Sequence, residues 1–116
     1  MDAATWDNIN KLRAWLDSEA SLPPGTDPRI MRVLKIGEEF GEVVEAVHGA
    51  LGANPRKGQS ENGWDDVREE LCDTAVTTLL ALATVTAEPG KALDERLRFL
   101  VERNTQSVNA AATKVS

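Results

Sequence analysis

The sequence of 116 residues contains one cysteine, one histidine and no tyrosine. A lone cysteine, Cys72, excludes an intrachain disulfide, and a lone histidine, His48, excludes the paired Glu-x-x-His motifs of di-iron helical bundles. Basic residues are also scarce, and the net charge is −6. A general binder of nucleic acid or of anionic membranes needs a basic surface. The charge therefore favours a protein that binds cations, or that meets anions through a metal.

Long hydrophobic runs are lacking as well. The most apolar stretch, residues 71–87, contains Asp73 and five threonines and is too short and too polar to span a bilayer. The first ten residues, MDAATWDNIN, are acidic and contain no apolar signal core. We therefore expect a cytoplasmic protein with no membrane partner and no nucleic-acid partner.

Four segments have helical periodicity, and no segment alternates with period two. Asp27 and Pro28 predict the start of the second helix, as an N-cap followed by proline at the first helical position. The predicted helices are about 5–20, 28–51, 63–87 and 91–110, followed by a frayed tail at 111–116. The apolar stripe of the second helix consists of Val33, Ile36, Phe40, Val43, Val44, Val47 and Leu51. The sequence predicts a single all-α domain, 1–116, folded as a four-helix bundle.

The third predicted helix is apolar on nearly every side from Ala75 to Val85. A helix that is hydrophobic all round is buried. A small domain can bury such a helix by sharing it between its own core and a subunit interface. We therefore expect a homo-oligomer, as a homodimer or a homotetramer, with the dimer as the simplest closed form.

Carboxylates are concentrated on the second and third predicted helices. Glu39 and Glu42 lie three residues apart on one face, as do Glu70 and Asp73. One such pair alone is usually a solvated helix face. A second pair on a largely apolar helix needs a partner, because a buried unpaired charge is costly. A shared cation would satisfy both pairs, and ligands that are all oxygen favour Mg²⁺, with Mn²⁺ as a substitute.

Two motifs carry a resemblance to a known family. EEFGE at 38–42 and EELCD at 69–73 resemble the E-x-x-E and E-x-x-D motifs of the MazG-like, all-α nucleoside triphosphate pyrophosphohydrolases. The resemblance covers about residues 28–105 and implies that family's helical fold. It implies that Glu39, Glu42, Glu70 and Asp73 ligate Mg²⁺. It also implies cleavage of a nucleoside triphosphate to a monophosphate and pyrophosphate, as a house-cleaning or pool-balancing activity.

The resemblance implies further site residues. Glu38 stands where some family members have a general base, and the alternative is a solvated neighbour of the ligands. The implied substrate-binding residues are Arg103 and Asn104 on the last helix, near the phosphates or the sugar, and Trp6 and Trp15 as platforms for the base. Lys35, one turn before Glu39, is a weaker candidate for phosphate contact, as are Arg56 and Lys57 in the loop. Asn104 interrupts the apolar stripe of the last helix, so we expect it to face inward. The structural alternative for the tryptophans is packing in the core. For Asn104 the alternative is a buried side chain that hydrogen-bonds to backbone.

Two other functions compete with this one. Phosphoribosyl-ATP pyrophosphohydrolase, an enzyme of histidine biosynthesis, resembles this chain in helical core and acidic motifs, although its last acidic motif usually differs from EELCDTAVTT. A non-catalytic oligomeric module would bind Mg²⁺ or Ca²⁺ for structure, through a closed site, or would dock a basic partner. The preferred base and sugar are open at this point.

Overall fold

Four helices account for most of the chain. The computed structural model describes the backbone of residues 1–19, 21–53, 55–56 and 58–115, and the side chains of these residues as far as Thr105. The helices are α1 (Ala3–Glu19), α2 (Pro28–Leu51), α3 (Trp64–Val85) and α4 (Pro89–Val115). There is no strand in the described part of the chain. The predicted all-α class with four helices is confirmed, and α4 continues past its predicted end at 110.

Local sequence signals fix both ends of α2. The Asp27 side chain accepts a hydrogen bond of 2.9 Å from the backbone N–H of Arg29, and Pro28 occupies the first helical position. At the other end, Gly52 adopts the left-handed conformation (φ 68°) and its N–H donates to the carbonyl of Gly49. The helix that carries the first acidic motif is therefore bounded as predicted.

α2 and α3 pack along each other, and α1 packs against α3. The buried apolar residues come from these three helices: Ile9, Val43, Ala50, Val67 and Ala81. Arg32 ties the three helices together near one end. Its guanidinium donates to Asp17 Oδ1 at 2.6 Å and to Thr84 Oγ1 at 2.8 Å. These bonds hold the start of α2 against the ends of α1 and α3.

α4 leaves this three-helix unit at a steep angle. The axes of α3 and the Pro89–Thr105 part of α4 differ by 113°. Trp6 packs against the first turn of α4, where a Cβ on Gly90 would lie 3.1 Å from the Trp6 indole nitrogen. The radius of gyration is 18.9 Å, whereas a compact domain of this length has about 13 Å. The single chain therefore does not close the predicted bundle around α4.

The predicted burial of α3 is incomplete in one chain. Ala81 is buried, but Leu79, Leu80 and Leu82 are half-buried and Val85 is exposed. Within the described residues, no helix taken alone has the length and hydropathy of a membrane span. α3 and the following segment reach those values only as a pair, across the 113° bend.

Candidate metal centre

Three of the four predicted ligands meet where α2 packs on α3. Glu39, Glu70 and Asp73 each offer one carboxylate oxygen, and these three oxygens all lie within 4.8 Å of one another. The Glu39 side chain is 13% exposed, Glu70 is half-buried and Asp73 is exposed. The i,i+3 spacing of Glu70 and Asp73 puts both on the face of α3 that Glu39 approaches. The result is an all-oxygen cluster between two packed helices.

Glu42, the fourth predicted ligand, lies beside Glu70 but outside this group of three oxygens. Its side chain is exposed. An acidic cavity of about 530 Å³ opens on this side, with Glu42, Glu45, Asp66 and Glu70 among its walls. The cluster is therefore accessible to solvent, and it has room for further oxygen ligands.

The electrostatics of Glu70 are unfavourable without a cation. Burial, followed by its contact with Glu42, raises the pKa of the Glu70 carboxyl above its ordinary value. The charges of Asp73 and Glu39 raise this pKa further. One oxygen, Glu70 Oε2, is buried and has no hydrogen-bond partner among the described residues. A buried polar atom without a partner is rare and costly, and a cation held by these oxygens would supply one.

Lys35 links the cluster to Glu38. Its ammonium group lies 3.0 Å from Glu38 Oε1 and 3.6 Å from Glu39 Oε1. Hydrogen bonding to Glu38, followed by the charges of both carboxylates, raises the pKa of Lys35 above its ordinary value. Glu38 itself is mostly exposed and lies outside the group of three oxygens. The predicted base and the predicted phosphate-binding lysine therefore contact each other at the rim of the cluster.

An apolar cavity of about 360 Å³ lies on the other side of Lys35. Its walls come from α1, α2 and α3 and include Trp15, Met31, Thr77 and Leu80. Thr77 lies about one helical turn after Asp73, so the cavity begins next to the carboxylates. The resemblance implied Trp15 as a residue that stacks on a base, and Trp15 lies in this cavity wall. Met31 and Leu80 were not predicted as cavity residues, because a cavity wall and a packed core require the same apolar side chains.

The other predicted substrate residues lie elsewhere. Trp6 contacts Gly90 just after α3 ends. That end of α3, at Val85, lies about 18 Å along the helix from Asp73, so Trp6 is far from the carboxylates. Arg103 and Asn104 are exposed on the projecting α4, and the Arg103 guanidinium lies 5.7 Å from the centre of the Phe99 ring. The expected inward orientation of Asn104 is therefore not found in a single chain, because α4 does not pack along the other helices.

Two weaker candidates for phosphate contact come from the loop after α2. Arg56 is exposed in the loop between α2 and α3, and Lys57 lies outside the described residues.

Comparison with models of known protein families, with curated proteins and with solved structures gives no significant match to the chain. The resemblance to MazG-like pyrophosphohydrolases therefore rests on the two acidic motifs and their spacing.

Proposed function

We propose that this protein is a Mg²⁺-dependent nucleoside triphosphate pyrophosphohydrolase that cleaves ribo- or deoxyribonucleoside triphosphates to the monophosphate and pyrophosphate. The observation that supports it best is the convergence of Glu39, Glu70 and Asp73, with their oxygens within 4.8 Å of one another. The buried, unpartnered Oε2 of Glu70 makes the cluster suited to a cation. The hard, all-oxygen ligand set favours Mg²⁺, and Mn²⁺ would substitute for it.

Each residue then has a chemical role. Glu39, Glu70 and Asp73, with Glu42 beside them, would hold the metal. When bound, the metal neutralises charge on the phosphate oxygens and activates water. Glu38 would accept the proton of the attacking water. Lys35, which contacts Glu38 and Glu39 here, would turn to the phosphates and stabilise the developing negative charge.

The neighbouring cavity supports a nucleotide as substrate. Its walls are almost entirely apolar and include the Trp15 indole, and its volume of about 360 Å³ falls within the range of small-molecule sites. A ligand that extends from this cavity past Lys35 to the carboxylates would combine a flat apolar group with an anionic chain. A nucleoside triphosphate has both parts in this order.

Oligomerisation belongs to the same proposal. Arg103 and Asn104 lie on a helix that projects from its own chain, so they would reach a site only in an assembly of several chains. A homodimer or homotetramer would close the four-helix bundle. We propose a cytoplasmic enzyme that acts on nucleotides. The net charge of −6 supports the proposal that it binds neither nucleic acid nor anionic membranes.

The test is a panel of ribo- and deoxyribonucleoside triphosphates with Mg²⁺, and again with excess chelator. Pyrophosphate and orthophosphate are quantified separately, and Glu39→Gln and Asp73→Asn variants are assayed beside the native chain. Metal-dependent release of pyrophosphate, lost in both folded variants, supports the proposal. Turnover of phosphoribosyl-ATP alone would identify that competing enzyme. A metal-dependent rise in melting temperature without any turnover would indicate the non-catalytic module.

A further inference from the structure

The walls of the apolar cavity beside Lys35 follow the packing of α2 on α3. The two helices run antiparallel, because Arg32 near the start of α2 donates to Thr84 near the end of α3. One turn from the carboxylates, at about 6 Å along the helices, the walls include Lys35 and Thr77. Two turns away, at about 10 Å, they include Arg32 and Leu80. A nucleotide held by its phosphates at the carboxylates would therefore place its base deepest in the cavity.

The main chain around this cavity offers little for the recognition of a base. All of its wall residues except Leu22 belong to α1, α2 and α3. The amide and carbonyl groups of a helix are bonded to each other everywhere but at its ends. Recognition of a base by hydrogen bonds therefore depends mainly on the side chains.

The side chains in the walls provide hydrogen-bond donors and almost no acceptors. The polar ones are Arg32, Lys35 and Thr77, and arginine and lysine have no acceptor atom. Among the described residues, no carboxylate, amide or imidazole belongs to the walls. Asp17, which binds Arg32, lies outside them and also accepts a hydrogen bond from Arg13. A ligand in the cavity thus meets two cations and one hydroxyl.

The hydroxyl of Thr77 differs from those of the other threonines in α3. Thr74, Thr78 and Thr84 each donate, at 2.8 Å, to the carbonyl one turn earlier. Thr77 forms no hydrogen bond through its hydroxyl within the described part of the chain. Arg32 also has donors to spare, because a guanidinium has five N–H groups and the described residues accept two hydrogen bonds from it. Both side chains can therefore donate to a ligand.

We propose that this cavity selects bases that carry oxo groups and no exocyclic amino group, with Thr77 and Arg32 as donors to the oxo oxygens. The inference rests on the proposed function, which places the base in this cavity. Uracil, thymine and hypoxanthine have this chemistry. The amino group of cytosine or adenine would lose its water partners and find only the Thr77 hydroxyl as an acceptor, between two cations. A buried donor without a good acceptor is costly.

Two pairs of substrates differ by this exchange of an oxo for an amino group, together with the proton on the neighbouring ring nitrogen. They are the triphosphates of inosine and adenosine, and those of uridine and cytidine, with the deoxy forms assayed in parallel. With Mg²⁺, kcat/KM should be about tenfold or more higher for the oxo member of each pair. A ratio near one in either pair, or a preference for the amino member, would overturn the inference while the proposed hydrolysis stands.

Two adjacent threonines test the donor. Thr77→Val keeps the shape of the side chain and removes the hydroxyl, so it should lower both ratios about threefold or more by slowing the oxo substrates. Thr78→Val is the control, because Thr78 is exposed and its hydroxyl is bonded to the carbonyl of Thr74. It should leave both ratios as they are. Equal changes of the ratios in the two variants contradict the assignment of Thr77.

An added acceptor should have the opposite effect on the amino substrates. Met31 lies in the wall one turn beyond Lys35, and Met31→Gln brings an amide oxygen of similar reach into the cavity. This variant should raise kcat/KM for adenosine and cytidine triphosphates and bring both ratios towards one, a gain that misfolding does not produce. Leu34→Gln adds the same amide to α2 at an exposed position outside the walls and should change neither ratio. Native ratios in Met31→Gln would count against the inference.

Binding measurements distinguish a failure of this inference from a failure of the proposed function. The α,β-methylene analogues of the same triphosphates resist cleavage between the first two phosphates, and calorimetric titration with Mg²⁺ measures their affinities. Binding that favours the oxo bases, without turnover of the natural triphosphates, would support the selection by this cavity and contradict the hydrolase. Absence of both binding and turnover for every base would contradict both.

Discussion

The ammonium group of Lys35 lies 3.0 Å from the carboxylate of Glu38, at the boundary between the acidic cluster and the apolar cavity. This ion pair is half-exposed, so it contributes little to folding. Its position matters more than its strength, because Lys35 both lines the cavity and lies 3.6 Å from Glu39 Oε1. Under the proposed function, phosphate oxygens would replace the Glu38 carboxylate as the partner of Lys35, which would leave Glu38 free to accept a proton.

The first prediction concerns this lysine. Lys35→Met should raise the KM for the preferred nucleoside triphosphate about tenfold or more, because one charge-assisted contact to phosphate is lost. The melting temperature should change little. Steady-state kinetics and thermal unfolding test both parts. Lys91→Met is the control, since Lys91 is an exposed residue at the start of α4, and it should leave both quantities as they are.

A second prediction uses the buried oxygen of Glu70. Without metal, Glu70→Gln should raise the melting temperature, because it removes a negative charge held among Glu42, Asp73 and Glu39. With Mg²⁺, the native chain should gain stability according to metal concentration, whereas Glu70→Gln should gain much less. Differential scanning calorimetry with and without chelator measures the melting temperatures of the native chain and the variant. The variant should melt higher without metal and should gain less when Mg²⁺ is added. Glu69→Gln, one residue away and exposed, should behave like the native chain.

The pH dependence of the metal-free chain follows from the same residue. The pKa of Glu70 is raised in the folded state, so the folded chain binds this proton more tightly than the unfolded chain. The Glu70 contribution to stability therefore increases as the pH falls through the raised pKa and is complete below the ordinary value of 4.5. Denaturant unfolding in chelator from pH 7 to pH 4 should show this gain in the native chain. If the Glu70→Gln variant gains as much stability at low pH, the gain comes from other titratable groups and not from Glu70.

Much of the site was predictable from the sequence because its geometry is local. Asp27 and Pro28 set the start of α2, and the i,i+3 spacing of Glu70 and Asp73 places both on one helix face wherever α3 lies. The meeting of these residues with Glu39 required only that α2 and α3 be neighbours. Consecutive amphipathic helices of a bundle are commonly neighbours, and only residues 52–63 separate α2 from α3.

The direction of α4 and the orientation of α2 were not predictable in this way. The apolar stripe of α2 is wide, and periodicity does not tell which edge meets α3. The structure buries Val43 and leaves Val33, Phe40 and Val44 exposed. The path of α4 depends on the angle of the bend after Val85, and no residue pattern in the sequence predicts that angle. For that reason Arg103 and Asn104, expected near the phosphates, lie on a projecting helix.

A fourth prediction concerns the link between three helices. Arg32 has an 11% exposed side chain and donates to both Asp17 and Thr84. Arg32→Met should lower the free energy of unfolding by about 1–3 kcal/mol, because it removes a partly buried hydrogen bond to Thr84 and a charged one to Asp17. Urea unfolding measures this loss. Arg29→Met is the matched control: Arg29 pairs with Asp27 on the surface, so its loss should have no measurable effect. Equal effects of the two variants would contradict a special role for Arg32.

The two tryptophans predicted to stack on a base should respond oppositely to substitution. Trp15 is 59% exposed in the cavity wall, so Trp15→Leu should preserve the melting temperature while weakening nucleotide binding about tenfold, as loss of an aromatic stacking partner does. Trp6 packs on Gly90 where α4 begins, so Trp6→Leu should lower the melting temperature and leave the affinity unchanged. Calorimetric titration with a non-hydrolysable triphosphate, beside thermal unfolding of both variants, distinguishes the two roles. If Trp6→Leu weakens binding and Trp15→Leu does not, the base binds outside the cavity that adjoins Lys35.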